Sequence, residues 1–425
     1  MKKKSVAAIL SLGMLCSTIV GCGNNTGEEN TSANSDEEKI TITYMQWQQE
    51  FQTAAISLAN AYMEENPNVT IEVITDASGY FENLKATLAS GDVPEIFVTE
   101  GYNNMKAYEE YITDLSDQEW TENIIDEAQN CVTLDGKVMG MPITMAGEGI
   151  VYNKKMFEEH GWEIPKTVTE LKELCEEIEA EGITPFTNEF ADDWLLGQFM
   201  SAGGYAYIPN VDDYTDKLYA GEEKLVNNEQ MKNTFQLLDL MLEYGQDDPM
   251  SYGWNETCSS FAMGESAMAF EGDWIWDTVY PVNPEIDCGI FALPATDNPE
   301  DTKLIVDANA CFHVGKGSEH PEEAKKFLNW IATNETAKKI MLEEYKVIPV
   351  FDGWEYSADN KLAESTIEYL ESGETYPWSW PTWPDGFRPA AGKVYQEYIS
   401  GNVDATQALQ EMDNLWENLT SSIES

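Results

Sequence analysis

Basic residues are scarce in this sequence. Lysine and arginine together number 24 against 77 aspartates and glutamates, which gives a formal net charge of −53 at pH 7. A surface this negative repels phosphate backbones and anionic lipid headgroups. Nucleic acid is therefore excluded as a partner, and a small ligand is expected to be neutral or cationic rather than anionic.

The motifs of common enzyme classes are also missing. The three histidines, His160, His313 and His320, lack the spacing of metal ligands. The segment GESAM at 264–268 lacks the second glycine of a nucleophile elbow, and GKGS at 315–318 lacks the spacing of a phosphate-binding loop. We predict a protein that is not an enzyme and that uses no metal and no cofactor. A glycosidase needs only two carboxylates, so that class stays open as an alternative.

Cysteines are few and widely scattered. Of the seven in the chain, Cys16 and Cys22 lie near the N-terminus. The other five are Cys131, Cys175, Cys258, Cys288 and Cys311. An odd, scattered set is not a disulfide framework. We predict buried free thiols, with a single bridge such as Cys288–Cys311 left open.

One apolar run near the N-terminus indicates where the protein works. Residues 5–20 follow three lysines and are too short to span a bilayer comfortably, so residues 1–21 are predicted to be an export signal peptide. The run ends in IVGC, which resembles the lipobox of bacterial lipoproteins and implies lipidation of Cys22. Residues 22–38 carry no large apolar side chain after Cys22, which is typical of a flexible tether. We therefore predict a lipid-anchored protein on the extracytoplasmic face of the cell membrane.

The pattern after residue 38 predicts alternating strands and helices. Residues 39–45, 69–74 and 95–99 are predicted strands, and 54–65 and 80–89 are the helices between them. This β-α-β-α-β order implies a parallel sheet with right-handed crossovers. In such a sheet, Trp47 and Glu100 follow strands that end at the same edge, where ligands bind in open α/β folds.

The stretch FAMGESAMAFEGDWIW, residues 261–276, carries the strongest local pattern. A helix is predicted to end at Gly264, and residues 267–270 are predicted to be a short apolar strand. That strand delivers Glu271 and Trp274 to its carboxyl end. A carboxylate beside an indole suits a polyol, because the carboxylate accepts from hydroxyls while the ring covers an apolar face. The alternative is that Trp274 is a core residue of the following helix.

Several segments in a fixed order resemble a known family. They are NPNVTIEV, LASGDVPEIFVTEG, DGKVMGMPITMAGEGIVYNKKMFEEHGWEIPKTVTELKELCEEI, FAMGESAMAFEGDWIW and HPEEAKKFLNWIATNETAKKI. Together they resemble bacterial extracellular solute-binding protein family 1, which includes maltose-binding protein and other sugar receptors of ABC importers. The resemblance implies an α/β, two-lobed periplasmic-binding-protein-like fold, in which each lobe is a mostly parallel sheet flanked by helices.

The resemblance also implies that the chain crosses between the lobes more than once. We expect lobe one to comprise residues 39–145 and 291–347, and lobe two to comprise 146–290 and 348–425. The crossings would lie near 144–147, 289–294 and 348–350, where glycine or proline stands beside apolar residues. The ligand would bind between the lobes.

Candidate ligand-binding residues are aromatic platforms and polar side chains at expected strand ends or in the aromatic segment 376–388. They are Trp47, Glu100, Tyr102, Asn103, Glu148, Trp194, Glu271, Asp273, Trp274, Asp307, Asn309, Trp380, Trp383 and Arg388. By resemblance, Trp274 takes the position of a stacking tryptophan. Trp378 is a further possibility beside Trp380 and Trp383, and Trp254 is a weaker one.

These expectations combine into one hypothesis and its alternatives. The chain would be the substrate-binding component of an ABC importer that captures an oligosaccharide between its lobes and delivers it to the permease. The same aromatics and acids also suit a polyamine or another cation. A secreted glycosidase is the third reading.

Overall fold

The computed structural model describes residues 39–308, 310–357 and 359–421. The expected signal peptide, the tether, Cys22 and Asn309 lie outside the described residues. The strands are β1 Ile40–Gln46, β2 Val69–Thr75, β3 Ile96–Thr99, β4 Thr133–Leu134, β5 Lys137–Val138, β6 Met141–Pro142, β7 Met145–Asn153, β8 Thr184–Thr187, β9 Ser266–Gly272, β10 Cys288–Phe291, β11 Leu304–Ala308, β12 Cys311–Val314 and β13 Thr375–Tyr376.

The helices separate these strands and cover the sheets. They are α1 Gln52–Glu65, α2 Tyr80–Ser90, α3 Tyr102–Lys106, α4 Asp126–Val132, α5 Lys154–His160, α6 Val168–Ala180, α7 Asp193–Ala202, α8 Val211–Tyr219, α9 Glu229–Glu243, α10 Trp254–Met263, α11 Trp276–Val282, α12 Pro321–Thr333, α13 Glu335–Glu343, α14 Lys361–Ser372, α15 Phe387–Ile399 and α16 Ala405–Ser421. No helix within the described ranges has both the length and the apolar character needed to cross a membrane.

The first sheet has the strand order β2-β1-β3-β12-β6. β1 pairs in parallel with both β2 and β3, which confirms the parallel β-α-β-α-β unit predicted from the sequence. Helices α1 and α12 cover one face of this sheet through residues such as Leu58 and Phe327. Helix α2 covers the other face, where Leu84 and Leu88 pack near Phe97.

The second sheet has the order β13-β11-β7-β9-β8, with β10 also paired to β7. β9 pairs in parallel with β8 and antiparallel with β7. The two-lobed α/β architecture is confirmed, with sheets that are mixed rather than mostly parallel. The reason is that strands entered from the other lobe run against their neighbours, as β7 does against β9 and β12 against β3.

The segments that join the two sheets lie side by side. Thr144 separates β6 of the first sheet from β7 of the second, and its hydroxyl accepts from the amide of Ile348 at 2.9 Å. Ile348 also pairs with Met145. With a crossing near 289–294, residues 291–347 are expected to belong to lobe one. β11 lies within these residues, yet it pairs with β7 in the second sheet. Strand pairing therefore favours a second crossing between β11 and β12.

All five cysteines of the described chain are buried and free. Cys288 lies in β10 of the second sheet and Cys311 lies in β12 of the first. The bridge left open between them is therefore not formed, and the prediction of buried thiols is confirmed.

Helices α7 and α15 pack with their backbones in close approach. A Cβ atom on Gly392 would overlap the backbone carbonyl of Asp193, and one on Gly197 would overlap the carbonyl of Arg388. Glycine at both positions therefore lets the two helices meet without a layer of side chains between them, which fixes the start of α15 against α7.

We expect Gly392→Ala to lower the free energy of unfolding by about 1–3 kcal/mol or more, because the added methyl group must push rigid backbone apart. Chemical denaturation followed by circular dichroism measures this change. The neighbouring Lys393→Ala removes an exposed side chain and serves as the control, with little expected effect. Equal stability of the two variants would contradict the close packing of α7 and α15.

Candidate ligand-binding site

Polar side chains from several strands meet at one edge of the second sheet. β8 and β9 end at this edge, and antiparallel β7 begins there. β11 also ends there, because Ala308 pairs with Met145 at the start of β7. This edge therefore brings together Glu148, Glu271 and Asp307, three of the predicted ligand residues.

Five tryptophans form a continuous row at this edge, which we call the tryptophan row. Neighbouring ring centroids lie 6.1 Å apart for Trp254–Trp194, 6.2 Å for Trp194–Trp274, 6.2 Å for Trp274–Trp378 and 5.2 Å for Trp378–Trp380. The first three members are half-buried, and the last two are only 4% and 5% exposed. Both contacts of Trp274 are edge-to-face, with the ring planes at 63° to Trp194 and 71° to Trp378, so neighbouring rings present their faces in different directions. Several aromatic surfaces side by side still suit a ligand made of several flat units.

Trp274 stands at the centre of this row because of the residues just before it. Its ring lies over Gly272, where any Cβ atom would overlap the indole. Its Nε1 donates to Oε2 of Glu271 at 3.1 Å. The ring touches both large hydrophobic cores while staying half-buried. Trp274 is thus fixed in orientation and still has accessible surface.

Glu148, Glu189 and Glu271 are the buried acids of the site. Both carboxylate oxygens of Glu148, both of Glu189 and Oε1 of Glu271 receive no donor from the protein. A buried acceptor without a donor is costly, so such groups are expected to bind a ligand or to hold a proton.

Burial changes the protonation of these acids. It raises the pKa of Glu148 to about 8, with a further increase from the Glu271 carboxylate and an opposing effect of Arg388. Burial likewise raises the pKa of Glu271 to about 7. The pKa of Glu189 lies well above its usual range because of burial and the adjacent Glu271 carboxyl group. The carboxyl groups of Glu189 and Glu271 lie next to each other, and no other group of the protein donates to Glu189. A proton shared between the two carboxyl groups therefore stabilises the pair.

Glu189 was missed as a site residue by the sequence analysis. It follows β8 in the segment TPFTNEF and is 1% exposed. The available signal was a polar pair directly after a short apolar strand. That signal became meaningful only once β8 paired in parallel with β9, which brings the two strand ends to the same edge.

The predicted residues of the first lobe mainly contact the second lobe. Glu100 accepts from Nη2 of Arg388 at 2.6 Å. The hydroxyl of Tyr102 donates to Oδ1 of Asp307 at 2.8 Å, and Nδ2 of Asn103 donates to the carbonyl of Thr382 at 2.6 Å. The lobes therefore meet directly through residues that were expected to touch a ligand.

Trp47 lies at the end of β1 and is half-buried. Its ring packs against Tyr80 and Phe81, with centroids 5.4 and 5.3 Å away. Both partners belong to α2 of the first lobe, so this packing fixes the Trp47 ring within that lobe. Ligand contact at Trp47 stays a prediction.

Two other predicted residues have partners within the fold. Asp273 accepts from the amide of Gly147 and the hydroxyl of Thr366, both at 2.8 Å, and so ties β7 to α14. Trp383 is 1% exposed and packs against Tyr205 and Phe387 in the second core. Ligand contact at either position stays a prediction.

The raised pKa of Glu148 predicts a pH-dependent stability. Between an ordinary glutamate pKa of about 4.5 and about 8, the folded protein holds this proton and the unfolded chain releases it. This contribution is complete below the unfolded pKa and disappears as the pH rises through the folded pKa. The free energy of unfolding of the unmodified protein should therefore fall as the pH rises from 5 to 8. In Glu148→Gln, we expect this fall to be smaller by at least about 1 kcal/mol.

Denaturation curves at the two pH values measure this difference. Glu158→Gln, at an exposed position of α5, is the matched control and should follow the unmodified protein. Parallel pH profiles for Glu148→Gln and the unmodified protein would contradict a buried, protonated Glu148.

Comparison with known proteins agrees with this geometry. Residues 45–338 match the family model described as bacterial extracellular solute-binding protein. The melibiose/raffinose/stachyose-binding protein MelE of Bacillus subtilis is 23% identical over 345 residues, covering 78% of each chain. The diacetylchitobiose binding protein DasA of Streptomyces coelicolor is 26% identical over 399 residues, covering 89% of each chain. These relatives are named as binding proteins rather than enzymes.

Solved structures share the fold. A sugar transporter of Bacillus licheniformis in complex with stachyose gives a TM-score of 0.77 at 22% identity, covering 89% of this chain and 100% of that one. RafE in complex with raffinose gives 0.77 at 20% identity, covering 89% and 99%. The family match spans more than half of the chain, and the two-lobed structure agrees with it. The chain therefore belongs to the bacterial extracellular solute-binding protein family.

Proposed function

We propose that this protein is the substrate-binding component of an ABC importer, which captures an oligosaccharide between its lobes and delivers it to the permease. The observation that carries the proposal is the tryptophan row beside three buried acids, in which five of the six carboxyl oxygens receive no donor from the protein. A carbohydrate supplies what both features need. Its ring faces present C–H groups to aromatic side chains, and its hydroxyls donate to carboxylates.

The relatives support a sugar as the ligand class. MelE is named for melibiose, raffinose and stachyose, and DasA for diacetylchitobiose. Their sequences match over 78% and 89% of this chain. The shared feature of those ligands is a short chain of sugar units, which agrees with several aromatic faces in series.

Simple magnitudes fit a transport receptor. If each stacked ring covers roughly 100 Å², burial contributes about 2.5 kcal/mol per platform. We add two or three such platforms and their hydrogen bonds and subtract the entropic cost of association. The resulting binding free energy is about −8 kcal/mol, which corresponds to a Kd on the order of 1 μM. Such affinity captures a dilute sugar and still permits release.

The family is extracellular, so the folded part works outside the cytoplasm. We further propose that Cys22 carries a lipid that anchors the protein to the membrane, with the permease subunits as partners. The two acyl chains of a lipoprotein anchor are sufficient for stable attachment. Metabolic labelling with a fatty-acid analogue tests this step, and Cys22→Ala should abolish both the label and membrane retention.

Titration calorimetry with raffinose, stachyose, maltotriose, maltotetraose and chitin oligosaccharides tests the sugar class. We expect saturable heat from at least one of them. The same mixtures are then separated by chromatography, and an unchanged oligosaccharide is expected. Hydrolysis would instead support the glycosidase alternative, and no heat from any sugar would contradict the proposal.

We expect Trp274→Ala to weaken binding of the best oligosaccharide more than tenfold, because its central ring face is lost. Calorimetry measures affinity, and a thermal melt checks folding. Trp354→Ala removes a tryptophan that packs on Phe351, outside the row, and serves as the control. Unchanged affinity in Trp274→Ala would remove Trp274 from the site.

One observation also favours a cationic ligand. The buried acids Glu148, Glu189 and Glu271 receive no hydrogen bond from a described lysine or arginine, and tryptophan faces attract cations. A polyamine would neutralise such acids. Its affinity should fall steeply between 0.05 and 0.5 M salt, whereas sugar binding should hardly change. Calorimetry with spermidine at both salt concentrations separates the two classes.

A further inference from the structure

Arg388 makes two contacts at the buried end of the tryptophan row. Its guanidinium carbon lies 4.2 Å from the ring centroid of Trp380. Its Nη2 donates to Oε1 of Glu100 across the cleft at 2.6 Å. Both charged side chains are largely buried, at 15% and 13% exposure. A planar guanidinium is suited to stacking on an indole while it binds a carboxylate.

The backbone of Arg388 is held rigidly. It lies in the first turn of α15, after Gly386 with a φ of +81°. Its carbonyl and Cγ press against Gly197 of α7, where a side chain would not fit. The guanidinium is therefore presented from a fixed base, and only the flexible side chain beyond Cγ can move away from Trp380.

The position of Arg388 divides the tryptophan row. Trp254, Trp194 and Trp274 are half-buried and keep accessible surface. On Trp380, the guanidinium lies over the ring at a distance typical of stacking, so a ligand ring on that face would have to displace it. A ligand that extends along the row therefore meets Arg388 before it can use Trp380.

Other contacts across the cleft keep this end closed. Asn104 donates to Oδ1 of Asp385 at 3.0 Å, and Lys85 binds Oδ2 of the same carboxylate at 2.9 Å. Asn103 also donates to the carbonyl of Thr382. These bonds lie beside the Glu100–Arg388 pair and do not depend on a ligand. The end of the row at Trp380 is thus a closed end, whereas the end at Trp254 is accessible.

We propose that Arg388 determines ligand length by covering Trp380, so that a ligand ring can stack along the row only as far as Trp274. Glu100 acts as the positioning residue that holds the guanidinium in place. This proposal rests on the proposed oligosaccharide function. It assigns the Glu100–Arg388 pair to the selection of chain length rather than to direct binding of hydroxyls.

The test compares sugars of increasing length in variant proteins. Maltose, maltotriose and maltotetraose form one series, and melibiose, raffinose and stachyose form another. We expect Arg388→Ala to improve the affinity ratio of the longest to the shortest binding sugar by at least roughly fivefold, because one further aromatic face becomes available. Calorimetry measures each Kd.

Two further variants separate length selection from lobe closure. Glu100→Gln removes the carboxylate charge but keeps an amide oxygen that can accept from Nη2 of Arg388, so the guanidinium is expected to stay over Trp380. This variant should therefore weaken all sugars by a similar factor, through a weaker contact between the lobes, and change the ratio much less than Arg388→Ala. Arg388→Met retains an unbranched stem and should also raise the ratio if Arg388→Ala fails to fold. A thermal melt checks folding of each variant.

The outcomes distinguish this inference from the proposed function. If sugars bind and removal of the guanidinium leaves the length ratio unchanged, the inference is wrong while the receptor function stands. If Arg388→Ala weakens binding of the short sugars far more than it strengthens binding of the long ones, Arg388 contacts the ligand directly. That outcome also contradicts the inference. If no sugar of either series or of the wider panel binds, both proposals fail.

Discussion

The strongest constraint on the candidate site is the burial of three carboxyl groups at one strand edge, where most of their oxygens receive no hydrogen bond from the protein. Glu148, Glu189 and Glu271 are each at most 1% exposed, and the protein gives most of their oxygens no hydrogen bond. Such groups oppose folding in their charged form, because water is lost and nothing replaces it. Their raised pKa values follow from this desolvation. Under the proposed function, a hydroxyl-rich or cationic ligand would remove the same cost, and that gain would contribute to its affinity.

The two lobes contribute different parts of the cleft. The second lobe carries the buried acids and the tryptophan row, while the first lobe presents Glu100, Tyr102 and Asn103 from the turn between β3 and α3 and from the start of α3. That turn is conformationally unusual, since Tyr102 has a φ of +46°. Its side chains bind the second lobe directly at Arg388, Asp307 and Thr382. The lobes therefore meet through direct protein contacts.

Local patterns predicted the elements better than they predicted the partners of each side chain. The strand at β9 was expected at 267–270 and is observed at Ser266–Gly272. Glu271 and Trp274 were expected at the end of this strand and are observed there, because the end of an apolar strand is a local property. Their contact with a ligand stays a prediction. Asp273 was grouped with them, yet the turn after Gly272 directs its carboxylate to the amide of Gly147, 126 residues away. No local pattern contains that contact.

The sequence by itself determined the order of strands and helices, the acidic surface and the family, because these follow from composition, periodicity and short segments. Only the tertiary structure decided which polar residues bind each other. Glu100 and Arg388 are 288 residues apart, and their pairing depends on how the lobes meet. Glu189 joins the site only through the parallel pairing of β8 with β9. Long-range contacts depend on the relative placement of whole elements, which the local sequence around each residue does not contain.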